Sequence, residues 1–106
     1  MAKAYITRHS VNARAWARLS SGVPIGAVGA QIGDALDLDL DDGEAHHTPP
    51  AAAAGLYKVS IDGANVRLRI GEEAVADESG EMWFDGTMHA LVFVQAGERI
   101  SVQVAA

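Results

Sequence analysis

A chain of 106 residues has room for one domain and one modest core, burying roughly two-thirds of its unfolded surface. Half of it is apolar, yet only two Trp, two Tyr and two Phe are present, so the core must rest on Val, Ile, Leu and Ala; the absence of Cys excludes disulfides, thiolate zinc sites and a Cys nucleophile. The net charge of −6 is segregated: residues 1–33 hold Lys3, Arg8, Arg14 and Arg18 with no acid (+4), and residues 34–106 hold all 14 acids against Lys58, Arg67, Arg69 and Arg99 (−10), the pattern of a basic arm on an acidic body.

The opening MAKAYITRHSVNARAW lacks the apolar block of a secretory signal, and none is expected. Residues 5–19 carry a strand alternation, with Val11, Ala13, Ala15, Ala17 and Leu19 on one side and Asn12, Arg14, Trp16 and Arg18 on the other. Their Ala, Arg and Leu content also suits a helix capped by Asn12; an extended segment is the expectation. SGVPIGAVGAQIG, with four Gly and one Pro, argues against a regular helix and matches neither G-x-G-x-x-G nor a phosphate loop. It reads as a flexible or surface-hugging segment, and the uncharged run of Leu19 to Gly33 is too short and too polar to span a membrane.

Six acids crowd into residues 34–44, and their spacing decides their meaning. Leu36, Leu38 and Leu40 alternate with Asp37, Asp39 and Asp41, which is a strand with one buried and one wet face. A calcium loop counted from Asp37 would need Gly at its sixth place and Glu at its twelfth, where Asp42 and Thr48 stand. EAHHTPPAAAAG is then a connection made extended by Pro49 and Pro50. Its neighbours His46 and His47 point opposite ways on an extended chain and do not readily ligate one ion.

In the second half, Tyr57, Val59 and Ile61 form one face, and Val66, Leu68 and Ile70 another, with Arg67 and Arg69 opposite. Asp62-Gly63 between them is a hairpin signal. EMWFDG reads as a short strand closed by Asp-Gly, HALVFVQAGE as a β-prone run ending in a turn, and RISVQV as a closing strand with Ile100, Val102 and Val104 in step. The expected fold is all-β: a small antiparallel β-sandwich or barrel of about six to eight short strands, residues 34–106, with residues 1–33 as an extended basic N-terminal arm.

Chemistry is sparse. His9-Ser10 are sequence neighbours and face apart on a strand; Asp85 and His89 flank a turn; Glu72-Glu73 and Asp77-Glu78 sit in a loop expected to be solvated, where nothing raises a pKa. No catalytic residue, no metal ligand and no cofactor is assigned, and an enzyme is not expected. Nucleic-acid binding has only Arg14, Trp16 and Arg18 to work with, beside a body that repels phosphate.

From about Leu38 to Val104, the order DGEAHHTPPAAAAGLYKVS, IDGANVRLRIGEEAVAD and MHALVFVQAGERISVQ resembles small tailed-bacteriophage virion proteins. In those, a polar Gly-containing loop leads into a strand, a hairpin with paired basic residues follows, and a Gly turn leads to a closing strand. The resemblance implies a capsid decoration or cement protein, or another head- or tail-associated β-module. Its partners would be the major capsid protein or other virion subunits, its location the virion, with no membrane and no nucleic acid involved. A homo-oligomer, a trimer by analogy, belongs to the same expectation. The arm would supply Arg8, Arg14, Trp16, Arg18, Val23, Pro24 and Ile25 as partner contacts. The competing class is a bacterial carbohydrate- or ligand-binding β-module, which would need Trp83 and Tyr57 exposed beside a cleft.

Overall fold

The computed structural model describes residues 1–18 and 24–105, with side chains described for residues 1–9 and 31–105. These form eight strands: β1 (Lys3–Arg18), β2 (Pro24–Asp39), β3 (His46–His47), β4 (Gly55–Asp62), β5 (Val66–Gly71), β6 (Glu81–Trp83), β7 (Ala90–Val94) and β8 (Arg99–Val104). They make two four-stranded antiparallel sheets, ordered β2-β1-β4-β7 and β3-β8-β5-β6. The chain is all-β, as its alternation requires, and among the described residues no helix is long and apolar enough to cross a membrane.

One core joins the sheets. Ala4 and Ile6 of β1, Leu38 of β2, Val59 and Ile61 of β4 and Val94 of β7 meet Val66 and Leu68 of β5 and Ile100 and Val102 of β8. The acidic stretch behaves as its period requires: Leu38 and Leu40 are buried, Leu36 packs against the core, and Asp37, Asp39 and Asp41 face water. Leu40 is held at the end of β2 because its N–H donates to the Ala2 carbonyl at 2.9 Å.

Pairing also fixes the topology. With β1 counted last, the partners become first with eighth (β2–β1), second with seventh (β3–β8), third with sixth (β4–β7) and fourth with fifth (β5–β6). This is the nested scheme of a jelly roll, opened so that the closing strand comes first in sequence. The two chain ends accordingly meet at one place, the β4–β5 connection. Ala105 N–H donates to the Asn65 carbonyl at 2.9 Å, while a Cβ at Gly63 would stand 2.0 Å from the Met1 carbonyl oxygen. Gly63 also has φ +94°, so glycine is required there twice over.

Three expectations change. Asp62-Gly63 does turn the chain, but it carries it from one sheet to the other, because β4 pairs with β1 and β7 and β5 pairs with β8 and β6. The segment SGVPIGAVGAQIG, read as flexible or surface-hugging, instead belongs from Pro24 onward to the 16-residue strand β2, paired with the equally long β1. And the boundary at 33/34 does not separate arm from body. Residues 3–9 lie between β2 and β4 in the middle of a sheet, and Ala2, Ala4 and Ile6 are core residues. The physical reason is the alternating small and apolar inward set of Ala2, Ala4 and Ile6, which fills the sandwich opposite β5 and β8.

The part that leaves the body is narrower. Pairing of β1 with β4 ends at His9↔Leu56, whereas pairing with β2 continues to Arg18↔Pro24. Beyond His9 the two strands run as a two-stranded ribbon of up to about 30 Å. The β1–β2 register shifts three times, once in the body between Ile6 and Arg8, and then between His9 and Val11 and between Asn12 and Trp16. Gly33, at φ +71°, sits in the first of these bulges, where β2 has more residues than β1 between paired positions. The molecule is elongated, 45 × 29 × 25 Å, with a radius of gyration of 14.5 Å against about 13 Å for a compact chain of this length.

Candidate interaction surfaces

The ribbon carries most of the residues expected to bind a partner. The backbone places Arg14, Trp16 and Arg18 on β1 and Pro24 and Ile25 on β2, with Trp16 opposite Gly26, Ala17 opposite Ile25 and Arg18 opposite Pro24. Val23 lies outside the described residues. Arg8 is different, because it stays with the body. It pairs with Tyr57, its guanidinium packs over Gly55 and reaches the Ala53 carbonyl at 3.5 Å, and its Nε is buried without a hydrogen-bond partner.

Arg8, Ile32, Leu36, Pro49 and Tyr57 line an open cleft of about 340 Å³. Tyr57 is half-buried against the core, and so is Trp83, whose indole Nε1 is buried without a partner. Neither ring forms the freely exposed platform that carbohydrate stacking needs.

The polar groups outside the core are tied up locally. His46 Nε2 lies 2.8 and 2.9 Å from the two Asp42 carboxylate oxygens. The hydrogen bond to His46 and the Glu44 N–H hold the Asp42 carboxyl below its usual range. Asp77 is lowered in the same way by the Ser79 hydroxyl and N–H. Asp85 accepts the Gly63 N–H at 2.9 Å and does not meet His89, whose N–H donates to Ser60 Oγ. Among the described residues no three His, Asp or Glu side chains converge as metal ligands would.

His47 and Ser101 form a side-chain pair tied into the interior. Ser101 is fully buried, its Oγ accepts the Ala76 N–H at 2.7 Å, and it lies 2.8 Å from His47 Nδ1. The Ser101 hydroxyl keeps both a proton to donate and a second lone pair to accept, so either imidazole tautomer satisfies the contact at Nδ1. Burial, then the nearby Arg99 and His46, push the His47 pKa below its ordinary value of 6.5. This is a structural contact between β3 and β8, with no nucleophile-and-base geometry around a cleft.

A second surface was not expected from the sequence. On β7, Val92 and Val94 pack inward, whereas Leu91 and Phe93 are 50% and 56% exposed, with Phe84 and Met88 exposed nearby. Among the described residues β7 is the last strand of its sheet, paired only with β4. Its signal was visible: between Thr87 and Ala96 the sequence holds no Asp, Glu, Lys or Arg, so both faces of the strand are apolar. Comparison with protein-family models, curated proteins and solved structures finds no match to the chain.

Proposed function

We propose that this protein is a non-enzymatic structural component of a bacteriophage particle, decorating or cementing the capsid through protein–protein contacts made by the β1–β2 ribbon. The observation that carries the reading is the ribbon itself. Beyond His9, β1 loses its β4 neighbour while 16-residue strands continue to pair with each other alone. A two-stranded ribbon is marginally stable in water by itself, so a chain that commits about a fifth of its length to one is built to lay it on something else. The cations Arg14 and Arg18 fall on the ribbon, and the acids fall on the body from Asp34 onward. The ribbon therefore suits an acidic protein surface, and the charge of the body opposes docking on a nucleic-acid backbone.

The test deletes residues 10–30 and joins His9 to Gln31, which face each other, through an Asn-Gly turn. Virions that carry this protein are stripped of it and re-exposed to purified full-length or shortened chain, and bound protein is read by co-sedimentation. The full chain rebinds and the shortened chain, still folded, stays in the supernatant. Equal rebinding by the shortened chain sinks the role of the ribbon, and failure of the full chain to rebind sinks the assignment to the capsid.

A further inference from the structure

We infer that β7 is a pairing edge through which two copies of this chain associate, β7 against β7, joining their sheets across a two-fold axis.

The four edge strands differ in how they are protected. β2 presents Asp34, Asp37 and Asp39 to solvent and is kinked by the bulge at Gly33. β3 is two residues long, and β6 is three residues long and carries the exposed Glu81. Charge, brevity and bulges are how sheet edges avoid pairing with other chains. β7 has none of these: five residues, ALVFV, in regular register with β4 from Gly55↔Val94 to Val59↔Ala90. Among the described residues no other strand pairs with its outer side. The unmet groups there are backbone N–H and C=O at strand spacing, so the occupant they specify is another extended strand.

Self-complementarity selects a second copy as that strand. An antiparallel pair centred on Val92 sets Leu91 opposite Phe93 of the other copy and Phe93 opposite its Leu91, on the outer face, with Val92 against Val92 inside. Centring on Leu91 would oppose Phe93 to His89, and centring on Phe93 would oppose Leu91 to Gln95, so only the Val92 register matches apolar to apolar at both places. No Asp, Glu, Lys or Arg falls between Thr87 and Ala96 to be buried or to repel its mate. Phe84 lines a shallow cleft with Thr87 and Ala90 at the start of β7, which puts its exposed ring at the same edge. Phe84, Met88, Leu91 and Phe93 are 50–72% exposed; with aromatic side chains of roughly 150–250 Å² they offer on the order of 400 Å² of apolar surface per copy. Five residues of backbone add to this, which brings the pair near the ~1,000 Å² total at which specific association begins. The dimer is therefore weak and concentration-dependent, and it leaves the ribbon free.

Mass in solution tests it. By sedimentation velocity from about 1 µM to about 1 mM, the full chain moves from 11.1 kDa toward twice that mass. L91K/F93K, which places a charge at two already exposed positions, raises the dissociation constant at least tenfold while its melting temperature stays near that of the parent. The chain has no native Cys, so register is read directly: L91C and F93C mixed together form a disulfide-linked pair, and neither links efficiently to itself. The ribbon-deleted chain dimerises as the full chain does, which separates this edge from the capsid-binding ribbon. A chain that remains monomeric at the highest concentration overturns the inference, as does a dimer indifferent to L91K/F93K or a dimer lost with the ribbon.

Discussion

β1 is one strand with two lives. From Lys3 to His9 it has β2 on one side and β4 on the other, and its inward residues Ala4 and Ile6 are 0% and 2% exposed. From residue 10 to Arg18 it has β2 alone. Nothing in residue type separates the halves, since Ala and Arg occur in both. The number of neighbours separates them: the first half is paired on both sides with its inward residues buried, and the second is paired with β2. A β-sheet protein thus assigns stability and reach to successive parts of the same strand.

The largest effect that sharpens this contrast is a pair of deletions. Removing residues 1–33 takes away the strand between β2 and β4 together with Ala2, Ala4 and Ile6, and that chain has no cooperative thermal transition. Removing residues 10–30, with an Asn-Gly turn in their place, leaves every core residue among those with described side chains present and moves the melting temperature by no more than about 4–8 °C, the equivalent of 1 kcal/mol. If both deletions unfold the chain, the ribbon is part of the body and the contrast fails. Single substitutions follow at smaller scale. Ile6→Ala costs about 2–5 kcal/mol by chemical denaturation, whereas Trp16→Ala, past the last β4 pair, stays within about 0.5 kcal/mol. A large cost at Trp16 would mean that the ribbon folds back on the sandwich.

What the sequence revealed follows the same division. Period-two patterns in Leu36–Leu40, Val66–Ile70 and Ile100–Val104 announce their own burial, because a strand with one wet face must alternate whatever it pairs with. Partners are another matter. Asp62-Gly63 specifies a turn with a positive φ, and Gly63 has one, but whether the next strand stays in the sheet depends on β7 and β8, some 30 residues on. SGVPIGAVGAQIG hides its strand for a related reason: with few side chains to alternate, it is extended from Pro24 onward because β1 offers it hydrogen bonds. The exposed pair Leu91 and Phe93 was legible as an uncharged run, but only the strand order shows that it lies on an edge.

Ser101 probes the body alone, between the core substitutions and the surface ones in size. Ser101→Ala leaves the buried Ala76 N–H without its acceptor and His47 Nδ1 without its Ser101 partner, costing about 1–3 kcal/mol. The ribbon-deleted chain should lose the same amount, since β3 and β8 lie in the other sheet. A cost that changes when the ribbon is absent would couple two regions that share no strand pairing here.

The smallest effect is a pH dependence that belongs to the body. Unfolded, His47 takes up a proton around its ordinary 6.5; folded, burial and then the nearby Arg99 and His46 favour the neutral ring, so it takes one up only at lower pH. Between those two values the unfolded chain binds more protons, and stability rises with pH. The contribution is complete above about 6.5 and declines as pH falls below it. Asp42, also depressed, acts in a separate window below its ordinary 3.8, where acid removes what its ionised form contributes. His47→Gln keeps an acceptor for Ser101 but does not titrate, so its melting temperature changes less between pH 7 and pH 5 than that of the parent. The ribbon-deleted chain retains the parent's slope. An unchanged slope in His47→Gln would assign the titration to another group and leave the β3–β8 contact without a role in the acid response of the sandwich.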